Sequence, residues 1–168
     1  NFGIIYGQSA FGLAQNLNIS RKEAKGIIDS YFEEYPTIKK YMENVVAAAR
    51  EQGYVKTVLD RRRYLPDINS TNAIVRGYAE RNAINAPIQG SAADVIKLAM
   101  VAVQKEMFAR ELNSKMILQV HDELVFDVHA DEKDILEKIV KESMEGALKL
   151  SVPLEVEYKI AGNWLDAH

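Results

Sequence analysis

Two apolar runs, residues 116–120 (MILQV) and 124–128 (LVFDV), are separated by only His121, Asp122 and Glu123. Strand-length apolar runs joined by a turn-length polar insert predict a β-hairpin with buried strands, which commits this half of the chain to antiparallel pairing. The insert is unusual for a tight turn. Such turns draw on Gly, Asn or Asp to reach positive φ, and this one holds no glycine. Adjacent carboxylates raised on a stiff hairpin suit a divalent cation, because hard Mg²⁺ takes oxygen ligands and gains from concentrated negative charge. Acidic residues at an exposed turn equally suit plain solvation, and the tripeptide alone does not separate the two readings. Gln119, His121, Asp127 and His129 interrupt the apolar strands, so one edge of the hairpin is expected to face a polar ligand.

Composition bounds the rest. A chain of 168 residues makes one domain or a little more, with 48% hydrophobic and 27% charged residues, as in a soluble globular protein. Cysteine is absent, which excludes a disulfide framework and a thiolate zinc site and fits a reducing compartment. The apolar stretches are strand-length and no basic run precedes one at the start, so neither a membrane span nor a signal peptide is expected, and the cytoplasm is the default location. A net charge of −3 does not announce a nucleic-acid binder, so any such role rests on local basic clusters.

The chain opens on NFGIIYG, with Phe2 and Tyr6 at i and i+4 as on one face of a helix whose earlier turns are missing. It reads as a piece of something larger. The closing GNWLDAH reads as a natural carboxyl terminus. In between, Gly7 and Gly12 punctuate two short helical pieces, and Ser20 with Glu23 forms a capping box that opens a helix with a stripe of Ala24, Ile27, Ile28, Tyr31, Phe32 and Tyr35. Pro36 ends that helix. A second one, with Ile38, Tyr41, Met42, Val45, Val46 and Ala49 on its face, runs up to Gly53 at C′ and should pair with the first. Residues 54–58 and 64–65 predict a small β-hairpin with Arg61, Arg62 and Arg63 near its tip, closed by Pro66 and a polar loop.

In the second half a helix is predicted over 73–85, Pro87 restarts the chain at an N1 position, and a long helix follows over 92–112. After the acidic hairpin comes an amphipathic helix carrying Ile135, Leu136, Ile139, Val140, Met144, Ala147 and Leu148, then a strand over 154–160. Helices first, then strands with two packing helices, predict an α+β fold built on an antiparallel sheet. No internal repeat or low-complexity segment is present.

Arg81, Asn85 and Gln89 recur at every fourth residue, so they project along one side of the chain even if Pro87 bends it. A row of such donors suits phosphate oxygens and the acceptors that every base pair exposes in the minor groove. It also suits a solvated helix face with pairs such as Arg76 and Glu80, and the cluster Arg61 to Arg63 has the same two readings.

Taken together, NFGIIYG, ISRKEA, GYVKTVLDRRRYLPDI, AERNAINAPIQGSAADVIK, QVHDELVFDVH and the closing NW..AH resemble, in order and spacing, the C-terminal part of the polymerase domain of the bacterial DNA polymerase I family, family A. The resemblance covers essentially the whole chain, and QVHDELVF is its most specific piece. Departures are small: Asp60 stands where Gly or His is common before the arginines, and the glycine near the final strand is shifted to Gly162.

The resemblance implies roles residue by residue. Asp122 is a ligand of the catalytic Mg²⁺ ions, of which the complete site takes two, Glu123 lies beside them, and His121 contacts the primer end. Phe2 packs against the sugar of the incoming nucleotide, and Tyr6 takes the template-stacking position at the insertion site. Arg81, Asn85 and Gln89 touch the primer-template near the growing end. The expected partners are primer-template DNA, a dNTP and the missing N-terminal part of the same polymerase, with no membrane. The family also needs an aspartate from an earlier motif and an Arg and a Lys from preceding helical turns, none of which this chain holds.

The reading is therefore a fragment of a template-directed DNA polymerase, with distal fingers over 1–71 and the C-terminal part of the palm over 72–168, inactive by itself and cytoplasmic with the nucleoid in its complete form. The alternatives are a non-catalytic DNA-binding module and a metal-dependent nuclease. The aromatic pair and the QG-containing segment speak against the nuclease.

Overall fold

The computed structural model describes residues 3–167, and of Phe2 only its place at the start of the first helix. The order of elements is α1 (Phe2–Ile5), α2 (Ala10–Leu17), α3 (Arg21–Glu34), α4 (Pro36–Gln52), β1 (Tyr54–Lys56), β2 (Arg62–Tyr64), α5 (Ala73–Ala109), β3 (Lys115–Val120), β4 (Glu123–Asp127), a 3-10 turn (Ala130–Glu132), α6 (Lys133–Glu145) and α7 (Trp164–Ala167). Helices with small antiparallel sheets make this an α+β fold. The chain forms two compact units that meet in sequence between Ser91 and Ala92, within α5.

In the first unit the helix starts follow local chemistry. Ser20 Oγ accepts from the Glu23 N–H (3.2 Å) while Glu23 Oε2 accepts from the Ser20 N–H (2.9 Å), the reciprocal capping box that the S-x-x-E pattern predicts. The Ser20 hydroxyl (2.7 Å) and the Ser20 N–H both donate to the Glu23 carboxylate, which favours its ionised form and lowers its pKa. Ala24 of the predicted stripe is buried with Ile4, Leu13 and Ala14, but Ile27 and Tyr35 stand at the surface. Pro36 takes the N1 position of α4, where a missing N–H costs nothing, and Gly53 closes α4 at φ +77°.

β1 and β2 pair antiparallel with Val55 opposite Arg63. Arg62 and Arg63 therefore lie in a strand and only Arg61 in the turn, a correction to the predicted tip. Asp60 turns the chain at φ +60°, a left-handed conformation that suits glycine, one of the two residues, with His, common there. Behind this hairpin Ala49, Val55, Leu65 and Ile68 bury against Ala79 and Ala83 of α5.

The predicted break at Pro87 is absent: α5 is a single helix from Ala73 to Ala109 with Pro87 inside it. A proline in a helix interior removes one backbone hydrogen bond and costs about 3 kcal/mol by local propensity. Tertiary contacts offset it. The Val58 N–H donates to Ser91 Oγ (2.9 Å) and Arg61 Nη2 donates to the Gly90 carbonyl (3.0 Å), so the β1–β2 loop is tied to α5 one turn past the proline. By length and composition alone α5 could span a membrane, a test that core helices also pass, and it contributes buried side chains to both units.

In the second unit β3 and β4 form the predicted hairpin, with Val120 opposite Glu123 and a bulge between Met116 and Leu118. Its strands are less buried than the apolar runs suggest. Met116, Phe126 and Val128 pack on a core of Val103, Met107, Leu136 and Ile139, whereas Ile117 and Leu118 are about half exposed. The bulge breaks the alternation, so these neighbours both miss the covered face. α6 ends at Glu145, leaving Ala147 and Leu148 beyond it. The predicted strand over 154–160 is not formed: the segment has no ladder partner among the described residues and is mostly exposed, with the Val156 N–H donating to Glu145 Oε1 (3.3 Å). A strand exists only through its neighbour, which periodicity cannot supply.

Candidate catalytic hairpin and donor row

The register that pairs Val120 with Glu123 leaves a loop of two residues, His121 and Asp122. His121 stands at φ +54°, at the first central position of the turn, where a two-residue hairpin loop with one left-handed residue normally holds glycine. A histidine accepts this conformation more readily than most side chains, yet it is still strained relative to glycine. Gln119 Nε2 donates to the His121 carbonyl and ties the tip back to its strand.

His121 and Asp122 are exposed and Glu123 is half-buried at the first position of β4. Two neighbouring carboxylates on a short turn concentrate negative charge at one end of the sheet. Among the described residues no group of three His, Asp or Glu side chains is arranged to hold a metal. The donor set fits part of a Mg²⁺ site, since Mg²⁺ is bound through one or two carboxylates together with waters and substrate phosphates.

The root of this hairpin carries a group that no sequence pattern singles out. The turn after α5, with Glu111 at φ +52°, leaves the N–H groups of Asn113 and Ser114 pointing away from any helix or strand partner. Glu132 collects them. Its Oε1 accepts from Asn113 N (2.8 Å) and Nδ2 (3.1 Å), and its Oε2 accepts from Ser114 N (2.8 Å) and Oγ (2.6 Å). Ser114 Oγ in turn accepts from the His129 N–H (2.9 Å). Both Glu132 and Ser114 are buried. Hydrogen bonds from the Ser114 hydroxyl and the Asn113 backbone, against burial, bring the Glu132 carboxyl down to about 2. No local motif marks Glu132, because its partners lie 18 and 19 residues away.

The other predicted residues lie in the first unit. With α5 unbroken, Arg81, Asn85 and Gln89 share one helix face at intervals of four. Arg81 and Gln89 are exposed, and the Arg81 guanidinium stands 5.9 Å from the Tyr78 ring centre. Asn85 is half-buried, and its Oδ1 has no hydrogen-bond partner among the described residues. Arg76, the alternative pairing residue, does meet Glu80 (3.8 Å), and Arg50 reaches the same carboxylate. The turn after α1 lies against this face: Gly7, at φ +77°, abuts Arg81 and Ile84, which brings half-buried Tyr6 into the same neighbourhood. The role assigned to the Phe2 ring lies outside the described residues.

The family profile described as DNA polymerase family A matches residues 1–166. The chain is 54% identical over 167 residues to DNA polymerase I of Lactococcus lactis, and 54% identical to those of Caldicellulosiruptor bescii and Bacillus caldotenax. Each alignment covers 99% of this chain but 19 to 20% of the relative, so the chain spans about a fifth of their length. The POL domain of Pol1 from M. smegmatis, solved in complex with DNA primer-template and dNTP, superposes with a TM-score of 0.90 at 51% identity, covering 92% of this chain and 27% of that one.

Proposed function

The chain belongs to DNA polymerase family A, and on that premise we propose that it carries part of the site at which a template-directed DNA polymerase adds a deoxynucleotide to a primer 3′-hydroxyl. Residues 1–71 serve as the distal fingers and residues 72–168 as the C-terminal part of the palm. The complete enzyme works in the cytoplasm, at the nucleoid.

The observation that carries this reading is the β3–β4 tip, where His121 occupies a glycine conformation and holds Asp122 and Glu123 at the end of a fixed two-strand support. Asp122 and Glu123 hold negative charge where divalent cations dock, and His121 reaches the primer end. Two Mg²⁺ ions, when bound, promote ionisation of the 3′-hydroxyl and neutralise charge on the departing pyrophosphate. Arg81, Asn85 and Gln89 present donors to backbone and minor-groove acceptors of the primer-template, which read shape rather than sequence. The unpartnered Asn85 Oδ1 supports a polar ligand on this face. Tyr6 stacks at the insertion site and Phe2 packs on the nucleotide sugar. The M. smegmatis domain, bound to primer-template and dNTP, supports these partners.

Two carboxylates leave the site short of a third, and a triphosphate needs basic residues from elsewhere in the family's length. The 168 residues by themselves are accordingly inactive. The test is Asp122→Asn in a complete polymerase containing this segment, where loss of a charge opposite the developing phosphoryl charge should lower incorporation by about 10²- to 10³-fold or more. Primer-template affinity should stay within about two-fold, since an anionic side chain neutralises no phosphate. Near-normal incorporation overturns the assignment, and primer extension by the 168-residue chain alone overturns its predicted inactivity.

A further inference from the structure

We propose that Glu132 is a positioning residue for the reaction at the hairpin tip: its carboxylate fastens the entrance to β3 and, through Ser114, the exit from β4, and so fixes where Asp122 stands. The inference rests on the polymerase reading of the tip.

The hairpin is held by two kinds of contact. Its covered face rests on Val103, Met107, Leu136 and Ile139 through Met116, Phe126 and Val128. Apolar contact of this kind is non-directional and sets distance better than angle. The angle is set at the root. Asn113 and Ser114 immediately precede β3, and His129 lies two residues past the end of β4. Four hydrogen bonds from Asn113 and Ser114 end on the two oxygens of one buried carboxylate, and the Ser114 hydroxyl passes the restraint on to the His129 N–H. The carboxylate sits on the 3-10 turn that leads into α6, so the anchor is part of the element that also packs under the sheet.

The leverage is considerable. β3 has six residues and so a length of about 20 Å, over which a tilt of about 3° at the root displaces the tip by about 1 Å. A displacement of that size at a reacting centre is enough to lower a rate by about 10²-fold. The carboxylate meets N–H groups that a packed apolar side chain would leave without an acceptor. Its distinct property is that both oxygens accept directional bonds, which suits a group that sets orientation.

The experiment uses a complete polymerase containing this segment, with Glu132→Gln and Ser114→Ala, in single-turnover incorporation of one nucleotide. The amplitude reports the folded, DNA-bound fraction, and the rate constant reports geometry at the tip. Glu132→Gln presents an NH₂ group to N–H donors, and its rate constant should fall by about 10-fold while dNTP and primer-template affinities stay within about two-fold. The Mg²⁺ concentration for half-maximal rate should rise in parallel. Ser114→Ala removes the relay to His129 and one of the four bonds to the carboxylate, and should lower the rate constant by about three-fold; it decides the matter if Glu132→Gln does not fold. A fall in amplitude with an unchanged rate constant in the folded variants overturns the positioning role. Asp122→Asn is run alongside. If it abolishes incorporation while both root variants keep normal rate constants, only this inference falls; if it incorporates normally, the reading of the tip falls and this inference with it.

Discussion

Gly90 on α5 and Thr57 at the start of the β1–β2 loop approach so closely that a Cβ on the glycine would stand 2.6 Å from the threonine Cγ2. Thr57 cannot simply rotate away. It is β-branched, with few χ1 states, and its Oγ1 accepts from the Arg61 N–H (3.3 Å).

Gly90→Ala should therefore destabilise the protein by about 1 to 2 kcal/mol, overpacking outweighing the better helix propensity of alanine. Adding Thr57→Ser removes the obstructing methyl and should recover most of the loss. A double-mutant cycle in thermal or denaturant unfolding reads the coupling, and additive effects would show that the contact is not the cause.

His121→Gly should separate stability from activity. Glycine takes the left-handed φ of this position without strain, so stability should hold or rise by up to about 1 kcal/mol. In a complete polymerase the same change should lower the incorporation rate by about 10-fold if the ring meets the primer end as proposed. Equal rates with and without the ring would confine His121 to shaping the turn.

Acid should loosen the hairpin root before it unfolds the rest. The Glu132 carboxyl is lower in the folded protein, about 2, than its ordinary value of 4.5, so its contribution is fully present above about 4.5 and is lost as the pH falls toward 2. Its donors are Asn113 and Ser114, all uncharged, so the effect should depend little on salt. Hydrogen-exchange protection of the Asn113, Ser114 and His129 amides, taken relative to their intrinsic rates, should fall across that window in the wild type, and Glu132→Gln should show the low protection already at neutral pH. Protection that does not change between about pH 5 and 2 would remove Glu132 from the anchor.

Replacing Arg81 should weaken DNA binding in a salt-dependent way. Taking away one cation that neutralises a phosphate reduces the slope of log K against log salt by about one, and it does so for any sequence. A titration of Arg81→Ala in the complete polymerase at several salt concentrations measures the slope. An unchanged slope would leave Arg81 with the Tyr78 ring as its main partner.

What the sequence made legible was what neighbours in the chain decide. Ser20 with Glu23, Gly53 after α4 and the two apolar runs around His121 each carry their own start, stop or turn chemistry, and each forms as read. Asp60 stood out as a departure where Gly or His is common, and it occupies a left-handed position of the kind that suits glycine. The larger misreadings are cases in which partners beyond the immediate sequence decide. Pro87 stays helical because the β1–β2 loop binds α5 beyond it, residues 154–160 stay irregular for want of a strand beside them, and Ile117 and Leu118 are exposed because a bulge shifts them. The tip residues of the candidate site were visible as types in a turn. The root was not, because a lone glutamate before a helix gives no sign that it will gather donors from the far end of the hairpin.

The bulge between Met116 and Leu118 also acts as an indexing notch. In a regular two-strand ladder a slip by one residue costs little beyond the change of face, and each slip would bring a different residue to the turn. An extra residue locked at one point of β3 removes that freedom, because the bulged strand can match β4 in one frame only. The frame selected is the one that puts His121 and Asp122, rather than Val120 or Glu123, at the turn. Deleting Ile117 would regularise the ladder and free the frame to drift, so a hairpin with more orderly pairing would present the wrong side chain at its end.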